Sequence, residues 1–173
     1  LKLKTISLLG HRSELDALPE GKLLINTINA HSYNTALKDP AFAEALLRGD
    51  ALIPDGASIV LAFKLLRHEK IERTAGWDLF LYEMDKLNRK GGTCFFLGSS
   101  VGSEMCKETG PIGTIGAVFD FFAENVQRAP VWWQEHGLEW LHRLIKEPKR
   151  MWRRYIIGNC LFLWNITKEK FTS

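Results

Sequence analysis

The chain has 173 residues, which is enough for one domain with a sizeable buried core. Its composition, 46% hydrophobic and 25% charged, excludes disordered and fibrous proteins. Its three cysteines, Cys94, Cys106 and Cys160, show no paired spacing, so we expect neither a disulfide framework nor a zinc site. A reducing cytoplasm is the compartment that we expect. The first residues combine lysines with a short apolar run, but charge returns at once, so we expect no signal peptide.

The net charge of +3 is unevenly distributed along the chain. Residues 138–173 carry eight Lys or Arg and three Glu, a net of +5, so residues 1–137 sum to −2. A basic segment joined to a slightly acidic body indicates an anionic partner for the segment, and a solvated charged face is the simpler alternative.

Residues 22–98 alternate short apolar runs with helical stretches, which is typical of a parallel α/β sheet. The apolar runs predict buried strands over residues 22–28, 50–54 and 92–98. Amphipathic spacing together with start and stop signals predicts helices over residues 39–49, 58–70 and 77–90.

After Ser100 this rhythm ends. Residues 101–111 lead directly into a strand and turn over residues 112–122. A parallel connection normally needs a crossover helix, and there is little room for one here.

The C-terminal segment is predicted to form two helices. Arg-Ala-Pro at 128–130 opens a tryptophan-rich helix over 131–145, and Pro148 starts another that continues through residue 170. Basic residues interleaved with tryptophan are typical of a helix at a membrane interface, and core packing explains the tryptophans about as well. The longest uncharged run, residues 155–167, falls well short of the ~20 residues that span a bilayer.

Ligands of open α/β sheets bind beyond the carboxyl ends of the strands, and polar residues follow each predicted strand there. They are Thr27 and Asn29, then Asp55 and Gly56, then Gly98, Ser99 and Ser100. Each group also has a local explanation: helix capping for the first, a Pro-Asp-Gly turn for the second, a structural loop for the third. Their convergence at one sheet edge favours a binding site, in which the third group offers backbone N–H groups to a phosphate.

Several phosphate and metal motifs are absent from the sequence. It contains no Asp-x-Asp, no Gly-x-Gly-x-x-Gly, no Walker lysine and no His, Cys and carboxylate cluster with metal spacing. A bound diphosphate would therefore need side-chain cations, and arginine suits it best. Arg143, Arg150 and Arg153 would share one helical face if a single helix continued through Pro148.

Taken together, these stretches resemble the WecG/TagA/CpsF family of bacterial glycosyltransferases over nearly the whole chain. The resemblance is carried by INTINAHSYNTAL, LIPDGASIVLAFK, ERTAGWDLF, FFLGSS, IGAVFDFFAENVQRAPVWWQEHGLEWLHRLIKEPKRMWRRY and FLWNITKEK. It implies transfer of a sugar, often N-acetylmannosamine, from a UDP donor to a polyprenyl-diphosphate-linked sugar at the cytoplasmic membrane face. It also implies inversion at the anomeric carbon without a metal site.

The resemblance also implies roles for individual residues. Asp55 matches the proposed general base, which would take the proton of the acceptor hydroxyl. Thr27 and Asn29 match a polar pair in the same pocket, and Arg73 and Gly76 match a second pocket motif.

The three arginines of the C-terminal segment, Arg143, Arg150 and Arg153, match basic positions of a family appendage. That appendage is expected to close over the diphosphate and to dock on the membrane. With Gly98 and Ser99, these residues complete the predicted substrate-binding set.

One part of the family pattern is missing. Between FFLGSS and GAVFDFF the family carries further β/α structure with a Pro-Lys-Gln-Glu motif, where this chain has about ten residues in place of a ~30-residue unit. If this block is truly deleted, the loss of central strands exposes hydrophobic edges and removes the glutamine that the resemblance places in the active site.

We therefore predict an α/β fold: a Rossmann-like parallel sheet flanked by helices, with a C-terminal helical, basic and aromatic appendage. The sugar-nucleotide-binding core spans 1–127, interrupted near 101–110, and the membrane-docking appendage spans 128–173. The predicted protein is a metal-free and cofactor-free enzyme on the inner face of the cell membrane, able to self-associate.

The alternative is a non-catalytic, membrane-associated remnant of the family with an incomplete active site. Nucleic-acid binding is less favoured, because the body is slightly acidic and the chain has no known reader motif.

Overall fold

The computed structural model describes residues 1–19, 21, 23–91, 112–113, 129–136 and 138–172. A 3-10 helix at Arg12–Ala17 precedes three strands, which are β1 (Leu24–Ile28), β2 (Ala51–Pro54) and β3 (Ile112–Gly113). The α-helices are α1 (Ala30–Ala36), α2 (Pro40–Leu47), α3 (Ala57–Arg67), α4 (Gly76–Lys90), α5 (Val131–Glu135), α6 (Glu139–Lys146), α7 (Pro148–Trp152) and α8 (Gly158–Phe171). A π-helical turn, Arg153–Ile157, joins α7 to α8.

The strands form a parallel sheet in the order β2-β1-β3. β1 and β2 pair from Ile25 opposite Ala51 to Ile28 opposite Pro54, and the short β3 pairs with the start of β1. Every residue of β2 is buried, as expected for a parallel strand whose two faces are both covered.

Helices cover both faces of the sheet. On one face, Ile28 and Leu52 pack in a core cluster with residues of α1, α2, α3 and α8. On the other face, Ile25 and Ile53 pack with Leu79 of α4 and with the 3-10 helix. The predicted parallel sheet flanked by helices is confirmed for the described part of the chain.

Capping and backbone geometry explain where the predicted helices begin and end. Asp39 caps α2 by accepting a hydrogen bond from the Phe42 N–H at 3.1 Å, and Pro40 occupies the first helical position. α3 ends at Arg67, and the next residue, His68, has a φ of 58°, which lies in the left-handed region. Strands 22–28 and 50–54 and helices 39–49, 58–70 and 77–90 are thus confirmed to within a few residues, whereas strand 92–98 lies outside the described residues.

The prediction of one helix over 131–145 is wrong, because α5 ends at Glu135 and α6 begins at Glu139. The Leu138 N–H donates to the Trp133 carbonyl at 2.7 Å, so the chain turns between the two helices.

The helix also does not continue through Pro148. Glu147 has φ −129° and ψ 61°, because a residue that precedes proline is driven out of the helical region. Arg143 therefore lies on a different helix from Arg150 and Arg153, and the condition for a shared arginine face is not met.

From Pro148 to Phe171 the chain is helical throughout, as predicted. One side of α8 is docked on α1. Phe162 is buried and meets the Tyr33 ring edge-on, with 5.4 Å between the centroids. The Tyr33 hydroxyl donates to the buried Glu169 carboxylate at 2.8 Å, and the Lys4 backbone N–H donates to its other oxygen at 2.7 Å.

The opposite side of α8 and of the π-helical turn is an exposed apolar stripe. Ile157 is 49% exposed, Trp164 69% and Phe171 81%, at the spacing of one helical face. Among the described helices, none is long and apolar enough to cross a membrane.

The boundary at residues 127 and 128 stays a prediction. Phe162 and Ile166 of α8 belong to the same core cluster as Leu3 and Ile28, so the helix that ends the described chain packs directly against the sheet layer.

Candidate functional site

The carboxyl edge of the sheet gathers the starts of three helices. α1 begins directly after β1, and α3 directly after β2. The segment before α4 is held to the same edge by the Thr74 N–H, which donates to the Pro54 carbonyl at 2.9 Å. Asp55 is fixed to β1 by its own N–H, which donates to the Ile28 carbonyl at 2.8 Å.

The Pro-Asp-Gly corner after β2 places Asp55 at this edge. Pro54 is fully buried at the end of the strand. Gly56 has φ 114°, a conformation that side-chain-bearing residues rarely adopt, and it lies immediately before α3. The turn thus requires its glycine for geometry, and it presents the Asp55 carboxylate at the start of the helix.

Asn29 caps α1 and also contacts Asp55. Its Oδ1 caps α1 by accepting the N–H groups of His31 and Ser32, both at 3.0 Å. Because the oxygen is held by the helix, Nδ2 is the atom directed at Asp55, where it lies 3.5 Å from Oδ2. This long and weak bond aligns the two side chains.

The surroundings of Asp55 include groups that raise its pKa and groups that lower it. Its side chain retains some accessible surface, but the enclosing protein desolvates it, and this raises the pKa of Asp55 above its ordinary value. The hydrogen bond from Asn29 and the positive charges of Arg73 and Arg143 oppose the rise in pKa, and the negative charge of Glu139 adds to it.

Two of the predicted arginines contribute to this site from different parts of the chain. Arg73 precedes α4 and forms an ion pair with Glu139, the first residue of α6, with 3.2 Å between Nη1 and Oε2. Both side chains are largely buried, with 24% and 21% of their surfaces exposed. Arg143 lies one turn further along α6 and also acts electrostatically on Asp55.

Two other predicted residues lie in the elements that form the edge. Thr27 is half-buried in β1, opposite Ile53, two residues before Asn29. Gly76 is buried as the first residue of α4.

Arg153 is not among the described charged groups that act on Asp55. The Arg153 guanidinium is exposed and lies over the Trp152 ring, 5.8 Å from its centroid. Arg150 lies in α7, and Gly98 and Ser99 lie outside the described residues.

Glu139 is the site residue that sequence reasoning missed. It lies in a basic segment, where it counted only toward the net charge. Its spacing of four residues from Arg143 was the available signal, since an acid in the first turn and an arginine in the next share one helical face.

A described cavity lies away from Asp55. A cavity of about 390 Å³ lies at the opposite end of β2, lined by residues 1–2, 5–9, 47 and 49–52, and does not include Asp55. Within the described ranges, no three His, Cys, Asp or Glu residues are grouped to hold a metal ion.

The sheet edge therefore presents a partly desolvated carboxylate beside guanidinium groups. A carboxylate whose pKa is raised accepts a proton more readily than an ordinary one, and guanidinium groups stabilise anionic oxygens. The arrangement can therefore take up a proton and bind anionic oxygens at the same edge.

The chain belongs to the glycosyl transferase WecG/TagA/CpsF family, whose profile matches residues 10–110 and 103–173. The predicted family and its glycosyltransferase chemistry in cell-envelope polysaccharide synthesis are thereby confirmed at family level. No solved structure matches the chain significantly.

Two similar proteins carry the same name, N-acetylglucosaminyldiphosphoundecaprenol N-acetyl-beta-D-mannosaminyltransferase. The one from Bacillus spizizenii is 24% identical over 191 residues, covering 76% of this chain and 74% of the relative. The one from Bacillus subtilis is 24% identical over 193 residues, covering 77% and 75%. Each matched stretch is longer than this whole chain, so the relatives hold residues there that have no counterpart here.

Proposed function

We propose that the chain is an inverting glycosyltransferase that uses a UDP-sugar. It would move an N-acetylmannosamine-like sugar to a polyprenyl-diphosphate-linked sugar in cell-envelope polysaccharide synthesis. Family membership and the names of the two Bacillus relatives support this substrate class. The observation that carries the proposal is the desolvated Asp55 carboxylate at the ligand edge of the sheet, which Asn29 contacts and on which the Arg73 charge acts.

In the proposed mechanism Asp55 is the general base. The acceptor hydroxyl oxygen attacks the anomeric carbon of the donor sugar, and its proton passes to the Asp55 carboxylate. A new bond forms between carbon and acceptor oxygen while the bond to the diphosphate oxygen breaks, and its electron pair leaves with UDP. Attack opposite the leaving group inverts the anomeric centre.

The leaving diphosphate needs positive charge, and we assign that task to arginine side chains in place of a metal ion. Arg73 and Arg143 already act on Asp55 electrostatically and would meet the diphosphate first. Arg150 and Arg153 would join them from α7 and the π-helical turn when the C-terminal segment closes over the ligand.

The other predicted residues would complete a Rossmann-like donor pocket. Thr27 and Gly76 border the same edge from β1 and the start of α4. Gly98 and Ser99 would offer backbone N–H groups to a phosphate. No resident cofactor enters this mechanism, since the UDP-sugar is a substrate.

We assign the exposed apolar stripe of α8 to the cytoplasmic surface of the cell membrane, where a polyprenyl acceptor resides. Ile157, Trp164 and Phe171 would enter the interface, and Arg153 and Arg154 lie exposed nearby for anionic head groups. Sedimentation with anionic and neutral vesicles tests this assignment. We expect binding to anionic vesicles that weakens in Trp164→Ala and at high salt.

The catalytic proposal is tested by UDP release from UDP-N-acetylmannosamine in the presence of a polyprenyl-diphosphate-linked N-acetylglucosamine. Loss of the base in Asp55→Asn should lower kcat by ~100-fold to ~10,000-fold without unfolding the chain. Asp50→Asn is the matched control: Asp50 precedes β2 at its other end, where it accepts the Leu24 N–H at 2.7 Å. Full activity of Asp55→Asn would remove Asp55 from the mechanism.

The second candidate is a non-catalytic, membrane-associated member of the family. It is favoured by the relatives' additional residues within the matched stretch. Vesicle binding by a chain that neither binds UDP nor releases it from the donor would support this candidate over the enzyme.

A further inference from the structure

The ion pair between Arg73 and Glu139 connects two distant parts of the chain at the edge of the site. The two residues are 66 positions apart, one before α4 and the other at the start of α6. With their side chains about three-quarters or more buried, this pair is shielded from solvent more than a surface ion pair.

α6 depends on contacts with other elements for its stability. None of its residues is fully buried, and it spans only eight residues, which is too short for a helix to be stable in isolation. Trp140 contributes a ring contact with Tyr155, at 6.1 Å between centroids, but Tyr155 belongs to the same C-terminal segment. The Arg73–Glu139 pair instead reaches the sheet layer.

The position of α6 matters because it carries Arg143. Glu139 and Arg143 are four residues apart and lie on one face of the helix. Both act electrostatically on Asp55, so the face that carries the ion pair is the face directed toward the carboxylate. Holding Glu139 therefore also holds Arg143.

We propose that Glu139 is a positioning residue for the transfer reaction. Its ion pair with Arg73 holds the start of α6 against the carboxyl edge of the sheet and keeps both guanidinium groups beside Asp55. The kinetic consequence of this role rests on the proposed function, whereas the attachment of α6 is a property of the folded chain alone.

The test compares Glu139→Gln with Glu44→Gln. Glu44 forms an exposed ion pair with Arg48 on α2, so the control makes the same chemical change away from the site. In Glu139→Gln we expect amide hydrogen exchange over residues 139–146 to rise by ~10-fold or more, because α6 detaches more often. The control should leave this exchange unchanged.

The same variants report on the ligand site. UDP affinity, measured by calorimetry, and kcat/KM should each fall by ~10-fold to ~100-fold in Glu139→Gln, as expected for misplaced positioning groups. Glu139→Asp, which keeps the charge on a shorter side chain, should recover part of both losses. Tighter UDP binding in Glu139→Gln would overturn the proposal, because Glu139 would then compete with the diphosphate for Arg73.

A pH profile separates positioning from a general loss of structure. The described charged groups acting on Asp55 are Arg73, Glu139 and Arg143. Removing the Glu139 charge alone would lower the pKa of Asp55, but the proposed displacement of Arg73 and Arg143 raises it, so the acidic limb of the kcat/KM profile should move to higher pH if Glu139 is a positioning residue. An unmoved limb together with unchanged exchange in α6 would overturn the proposal.

Failure of the proposed function gives a different pattern. A wild-type chain that neither binds UDP nor releases it from the donor would reject the enzyme assignment. The exchange experiment would still decide the attachment, with faster α6 exchange supporting it and unchanged exchange refuting it.

Discussion

Charged groups are partly buried at the carboxyl edge of the sheet, whereas apolar groups are exposed to solvent on helix α8. At the edge, the charged groups of Asp55, Arg73 and Glu139 are drawn into the protein. On α8, the apolar side chains of Trp164 and Phe171 are held out in solvent, although the other side of the same helix is part of the core. Each region departs from the usual arrangement of charge outside and apolar groups inside.

The two departures affect stability differently. A partly desolvated carboxylate opposes folding, so ionised Asp55 lowers the stability of the native state. Exposed apolar groups on α8 neither add to nor greatly reduce stability, because the docked side of the helix supplies the contacts. Comparing variants in the two regions therefore separates residues that stabilise the fold from residues kept for another purpose.

The largest loss of stability is expected for a substitution on the docked side of α8. Phe162→Ala should lower the free energy of unfolding by ~3–5 kcal/mol, because it leaves a cavity between α8 and α1. Trp164→Ala on the exposed side removes a larger side chain and should change stability by no more than ~0.5 kcal/mol. Urea denaturation followed by circular dichroism measures both, and equal losses would contradict the assignment of the two sides.

A smaller loss is expected where Glu169 joins α8 to the rest of the core. Glu169→Gln should lower the free energy of unfolding by ~1–3 kcal/mol, because an amide leaves one of two buried donors without a suitable acceptor. Tyr33→Phe removes only the hydroxyl donor and should lower it by ~1 kcal/mol. An increase in stability for Glu169→Gln would show that this carboxylate, like that of Asp55, destabilises the fold.

At the sheet edge, Asn29→Ala should lower the free energy of unfolding by ~1 kcal/mol through loss of the α1 cap. Asn29→Asp keeps a capping oxygen and serves as the matched variant. Both lose the hydrogen bond from Nδ2, so the pKa of Asp55, followed by carbon NMR of its carboxyl group, should rise in both. An unchanged Asp55 pKa would mean that the 3.5 Å contact has no energetic weight.

The smallest expected change is a gain in stability. Because burial raises the pKa of Asp55, the native state holds its proton more tightly than the unfolded chain, and ionisation destabilises the native state as the pH rises. Asp55→Asn should therefore be slightly more stable than the wild type at neutral pH. The gain should disappear below the ordinary aspartate pKa of ~3.9, where both forms are neutral, as denaturation at two pH values would show. A loss of stability at neutral pH would indicate that the carboxylate stabilises the fold.

The sheet and its covering helices could be predicted from local signals. β1 and β2 are apolar runs, and α2 begins at Asp-Pro, so periodicity and capping residues were sufficient. The meeting of Asn29 and Asp55 followed from the rule that parallel strands end at one edge. α1 was missed, because its seven residues are mostly polar and its stability comes from the Asn29 cap and from packing under α8.

The C-terminal part of the site could not be predicted in the same way. The pairing of Arg73 with Glu139 depends on how α6 returns to the sheet, and no local pattern encodes a contact across 66 positions. The break before Pro148 was visible as a proline, but its consequence for Arg143 required the geometry of Glu147.

The hydrogen bond from Lys4 to Glu169 joins residues 165 positions apart, and this separation bears on how the protein is synthesised. Lys4 and Tyr33 leave the ribosome long before Glu169 is made. Until α8 emerges, the nascent chain exposes the apolar surface that Phe162 and Ile166 later cover. We therefore expect the core to close only after α8 has been translated, with chaperones shielding α1 and α3 until then.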